Sequence, residues 1–113
     1  MLNSLIDKEI DIIANEYVEK NLLATIIMFS EDERKLLLKM DTPLNHGGII
    51  YPYAIAATRL EGDSYTMLVN DGLIGCSITW VSKNRFDRDN PFNLSWWRGG
   101  ASTISSIKLK VSN

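Results

Sequence analysis

The chain has one cysteine and one histidine. A single cysteine excludes an internal disulfide, and Cys76, set between apolar neighbours, suits a buried position in a reducing compartment. A single histidine, His46, excludes metal sites built on several imidazoles, and no pair of residues has the spacing of zinc ligands. Long apolar runs are missing too: the longest are a few residues, far below the ~20 that a membrane span requires. The N-terminal Met-Leu-Asn-Ser-Leu-Ile-Asp-Lys-Glu has no basic segment leading into an apolar run, so no secretion signal is expected. There is no glycine-rich phosphate loop ending in lysine and no Gly-x-Ser-x-Gly nucleophile elbow. Without repeats or low-complexity tracts, the 113 residues fit one domain. These absences point to a cytoplasmic protein with no cofactor, no metal and no membrane segment.

What is present is ordinary globular composition, 45% hydrophobic and 23% charged, enough for one core. The charge is uneven. Residues 1–63 carry 11 acids and 6 bases (net −5) and residues 64–113 carry 3 acids and 6 bases (net +3), which sum to −2. An acidic front and a basic back suit the orientation of a charged partner, although solvated helical faces also collect acids. An overall acidic balance makes nucleic acid an improbable partner.

Local patterns predict a helix over about residues 5–20, where Ser4-Leu5-Ile6-Asp7 has capping-box spacing and Ile6, Ile10, Ile13 and Tyr17 recur on one helical face. Leu22–Phe29 is apolar and rich in β-branched residues, which favours a strand. Ser30-Glu31-Asp32-Glu33 again has capping-box spacing, and the helix formers up to Met40 predict a short helix over about residues 31–40. A hairpin is the competing reading, with Glu31–Arg34 as its loop and Lys35–Asp41 as a strand. Further on, β-like runs at Ile49–Leu60, Ser64–Val69 and Leu73–Ser82 are separated by Glu61-Gly62-Asp63 and Asn70-Asp71-Gly72, a meander over about residues 49–82. Pro52 cannot donate to a ladder and belongs at an edge, a bulge or a strand start. Ser102–Ser112 alternates, with a break near Ser105-Ser106 that signals a bulge, and its lysines suit an edge strand. The expected fold is α+β: an antiparallel sheet of four or five strands, the meander plus a C-terminal strand over about residues 102–112, packed on the two helices.

Chemistry-bearing groups are sparse. Cys76 and His46 form a conceivable nucleophile–base pair, and Tyr51 or Tyr53 would add polar groups to a pocket beside them. His46-Gly47-Gly48 is similar to a lipase oxyanion loop but lacks the accompanying elbow. Asp87-Arg88-Asp89-Asn90 starts like a calcium loop but lacks its glycine and terminal glutamate. The long segment Lys83–Ala101 holds Arg85, Arg88, Trp96, Trp97 and Arg98, residue types enriched in binding hot spots, with Phe86 and Phe92 adding apolar surface. These five are the predicted partner-binding residues, against the plainer possibility that the tryptophans fill the core.

In size, acidity and the lack of a catalytic motif, the chain is similar in kind to bacterial immunity proteins of contact-dependent inhibition systems and to phage-encoded inhibitors. That likeness covers no particular residues. It implies a non-enzymatic binding module that neutralises a toxin or effector protein stoichiometrically. The alternatives are a small enzyme or ligand-binding domain near His46 and Cys76, and a self-associating structural protein.

Overall fold

The computed structural model describes residues 6–13, 21–30, 34–57, 73–93 and 102–109, and there is no helix among them. Six strands follow in order: β1 (Glu9–Ile13), β2 (Leu22–Ser30), β3 (Lys35–His46), β4 (Ile49–Ala57), β5 (Leu73–Val81) and β6 (Ser102–Leu109). Each pairs antiparallel with the next, and β1 pairs with β6, so the sheet closes into an up-and-down barrel. Over the described residues the α+β expectation is therefore corrected to all-β, and the sheet of four or five strands to six.

Both expected helices fail for identifiable reasons. In Glu9–Ile13 the helical period coexists with a two-residue alternation, in which Ile10 and Ile12 are fully buried while Glu9 is exposed. Ladders on both flanks, Ile10 opposite Ala24 in β2 and opposite Leu109 in β6, decide for the strand, because tertiary pairing outweighs the weak helix preference. Asp7 has φ 71°, outside any helix, and its N–H donates to the Ile26 carbonyl at 2.7 Å. The rest of the expected helix, residues 5 and 14–20, lies outside the described residues. The second helix gives way to the hairpin reading. Arg34 has φ 53° at the end of the β2–β3 connection, and β3 pairs with β2 from Lys35 opposite Ser30 to Met40 opposite Ala24.

Leu22–Phe29 and Leu73–Ser82 are strands as expected, within one residue at their ends. The expected Ser64–Val69 strand lies outside the described residues, and β4 pairs directly with β5. β6 is not an edge strand, since it pairs with both β5 and β1. The irregularity foreseen at Ser105-Ser106 is present at that level, but the extra residue is on β5: Leu73 faces Ile107 and Cys76 faces Ser105.

The barrel interior is filled by side chains rather than hollow, as a narrow barrel requires. Ile10, Ile12, Ile26, Leu36, Leu38, Met40, Cys76, Ile78, Trp80 and Ile107 form its core. Size alternates across neighbouring strands. Ala54 lies opposite Leu38 on one side and Trp80 on the other, and Ala56 lies between Leu36 and Ile78. Small residues on β4 make room for the indole, the interdigitation that close packing needs.

A second cluster sits on the outer face. Leu37, Ile55 and Val81 point outward and are nevertheless buried, because the chain after β5 folds back over them and seats Phe92 there. Ile27 and Tyr53 pack against the same cluster. A bulge between Ile26 and Met28 sets Ile27 beside Met28 opposite Leu37, which widens this outer patch.

Candidate functional site

The barrel has two ends. One carries the β1–β2 and β5–β6 connections together with the β3–β4 hairpin, the feature that the topology brings beside the expected partner-binding segment.

The hairpin turns at Gly47 and Gly48, with φ 62° and 79°. Positive φ at both central residues is the turn that matches strand twist in a two-residue hairpin, and only glycine adopts it without strain. Among the described residues, apart from the chain neighbours, no atom lies within 4 Å of where a Cβ would stand at either glycine, so the tip stands in open space. Between Lys39 and Leu44 the β3–β4 register slips, because Lys39 faces Tyr53 while Leu44 faces Tyr51. Pro52 sits at this irregularity, one of the places its missing N–H allows, and Pro43 lies in the facing strand. Buried Leu44 and Tyr51 close the mouth of the core, and every residue from Asn45 to Ile50 beyond them is exposed. Ile49 is 49% exposed and Ile50 57%. The sequence reading does not single out this projecting arm. The signal was available in Gly47-Gly48 between Asn45-His46 and Ile49-Ile50.

The segment after β5 starts at the base of this arm, since Val81 pairs with Tyr53. Its described part, residues 82–93, is built of three successive turns. The Ser82 carbonyl accepts the N–H groups of Arg85 and Phe86, both at 3.1 Å. The Asp87 carboxylate accepts the N–H of Asp89 at 2.9 Å and of Asn90 at 3.3 Å, and the Asn93 N–H closes onto the Asn90 carbonyl at 3.1 Å. Asp87 is thereby committed to its own backbone in an Asx turn. Phe86 stacks on Tyr53, with centroids 4.0 Å apart and planes at 12°, and Phe92 is buried against the outer cluster. The two phenylalanines are anchors of a strap, not the exposed apolar surface expected. Between and beside them Lys83, Arg85, Arg88 and Asp89 face solvent.

Of the predicted partner-binding residues, then, Arg85 and Arg88 are exposed on a strap fixed at both ends, and Trp96, Trp97 and Arg98 lie outside the described residues. Cys76 and His46 are not brought together. His46 is at the exposed hairpin tip, and Cys76 is in the core beyond the far end of β4. Eight strand residues separate those ends, roughly 25 Å at the usual rise. Burial pushes the Cys76 thiol from 9.0 up to about 11, opposite to what a nucleophile needs. Of the tyrosines considered with them, Tyr51 is in the core and Tyr53 is stacked under Phe86. Among the described residues no three of histidine, cysteine, aspartate and glutamate converge as metal ligands, and no helix is long and apolar enough to cross a membrane. No protein-family model, curated protein or solved structure matches the chain.

Proposed function

We propose that the protein works by stoichiometric binding of another protein through the barrel end that carries the arm and the strap. The observation that supports this most is the strap itself. Phe86 and Phe92 are spent on fixing a short segment whose exposed side chains are all charged or polar, which holds Arg85 and Arg88 in place before a partner arrives. Pre-ordering of this kind lowers the entropy lost on binding. Trp96, Trp97 and Arg98, which follow in sequence, are proposed as further partner-binding residues. The filled interior supports the same reading, since the described core leaves the outside of the barrel as the place to act. Neutralisation of a toxin or effector in the cytoplasm, where a buried reduced thiol is at home, is the form of binding that best suits such a small domain.

The test is reconstitution. A tagged full-length chain is used to isolate a partner, and the purified pair is then titrated by calorimetry. A 1:1 saturable complex is expected, weakened about tenfold or more by combined Arg85→Ala and Arg88→Ala, since hot-spot truncations cost above 1 kcal/mol each. The thermal midpoint should stay near that of the unmodified chain. Equal affinity in the double variant would remove the strap from the reading, and the lack of any saturable partner would remove the reading itself.

A further inference from the structure

We infer that the tip of the β3–β4 arm is an insertion finger, whose Ile49 and Ile50 enter an apolar cleft in the protein partner about 10 Å wide, the thickness of a ribbon with side chains on both faces as set by the spacing of packed sheets. This rests on the protein-binding reading above and says how the partner is held.

Three observations carry it. First, Ile49 and Ile50 are adjacent in a strand, so their side chains leave opposite faces of the ribbon, and both are about half exposed. A flat partner surface covers only one face of a ribbon, whereas a cleft covers both. Second, the register sets His46 across from Ile49 and Asn45 across from Ile50. Cross-strand partners share a face, so each face presents one isoleucine and one hydrogen-bonding side chain. Polar groups of a protein wall can answer the exposed Asn45 amide, while lipid tails would leave it desolvated without compensation.

Third, the arm is ill suited to adding a strand. In a two-residue hairpin the residues flanking the turn, His46 and Ile49, bond to each other. By ladder alternation Leu44 and Tyr51 then also face inward, and the outward backbone groups belong to Asn45 and Ile50. The next outward position on β4 is Pro52, which has no N–H, and Pro43 removes a donor from β3. Prolines on both strands are a recognised guard against edge-to-edge pairing. An arm protected from strand recruitment and carrying apolar side chains on both faces is built to be inserted.

Photocrosslinking of the full chain separates the outcomes. Ile50→benzoylphenylalanine and, separately, Arg88→benzoylphenylalanine are irradiated in cells that make the protein, and the adducts are resolved by mass. The expected result is a protein adduct at both positions, and roughly tenfold weaker binding of that purified protein by Ile50→Ser, the loss of one buried aliphatic side chain. Pro52→Ala should leave the affinity unchanged. An adduct at position 88 alone overturns the finger and leaves the protein-binding reading standing. No adduct at either position overturns both. An adduct only at twice the chain's 12.8 kDa overturns the cleft in favour of a second copy, and tighter binding by Pro52→Ala overturns it in favour of strand addition.

Discussion

The buried thiol offers the sharpest quantitative test of the barrel. Cys76 is 1% exposed on β5, and burial raises its pKa from 9.0 to about 11. A thiol is neutral when protonated, so a raised pKa in the folded state means that the unfolded chain releases its proton first. Stability from this group is intact below pH 9 and is lost as pH rises towards 11. At pH 10 the unfolded thiol is about nine-tenths ionised and the folded one about one-tenth, which by linkage removes about 1.4 kcal/mol, on the way to about 2.7 kcal/mol once both pKa values are passed. Tyrosines and lysines titrate in the same range, so the measurement is a difference. Urea unfolding is followed at pH 7.5 and pH 10 for the unmodified chain and for Cys76→Ala, whose packing loss does not depend on pH. The drop in stability between the two pH values should be larger for the unmodified chain by about 1.4 kcal/mol. Thiol-reagent labelling at pH 8 should be suppressed at least about a hundredfold against the unfolded chain, from ionisation alone. An identical pH dependence in the two proteins, or rapid labelling under native conditions, would refute the placement of Cys76 inside the barrel.

Three further outcomes follow from the packing. Phe92→Ala should destabilise by about 2–3 kcal/mol in urea titration, below the range for a full core deletion because the site is at the surface of the outer cluster, and should raise binding of a hydrophobic dye as Leu37, Ile55 and Val81 are uncovered. Ala54→Leu should destabilise by about 1–3 kcal/mol because the added methylenes meet Leu38 and Trp80, seen as a lowered thermal midpoint; an unchanged midpoint would contradict the tight fit of β4 against the indole. Gly48→Ala should cost about 1 kcal/mol through its positive φ alone, since open space surrounds the position, while Gly48→Asn should restore part of that loss.

The strands that were legible in the sequence are those whose burial follows a simple rule. Leu73–Val81 shows its character in β-branched residues. Pro52 marked its own irregularity correctly, because a missing donor has few places to go. The Lys35–Met40 stretch was ambiguous for a physical reason. Leu36 and Leu38 face the core, but Leu37 between them is covered from outside by the strap, so the strand reads as an unbroken apolar run flanked by helix-forming charges. Alternation is lost wherever a strand is buried on both faces, and here the covering comes from a segment about 50 residues later, which no local window contains. Near the N-terminus, Ile10 and Ile13 satisfy a helical period while Ile10 and Ile12 satisfy a strand period, and only pairing with distant β2 and β6 separates the two. At the candidate site, Arg85 and Arg88 were identifiable by type, whereas the anchoring role of Phe86 and Phe92 depended on an outer patch that exists only after the barrel has closed.

Closure itself has a kinetic consequence. Five of the six ladders join strands consecutive in the chain, but the sixth sets Ile10 beside Leu109. Bringing together residues about 100 positions apart costs about 3 kcal/mol more in chain entropy than closing a four-residue turn. The β1–β6 seam should therefore zip last on the way to the native state and open first on the way out, with β1, only five residues long, as the loose stave. In native-state hydrogen exchange, amides of Ile10, Ile12 and Ile107 are expected to exchange through a partial opening of lower free energy than those of Leu37, Leu38 and Ile55. Equal protection across the seam and the β3–β4 ladder would show that the barrel opens only as a whole.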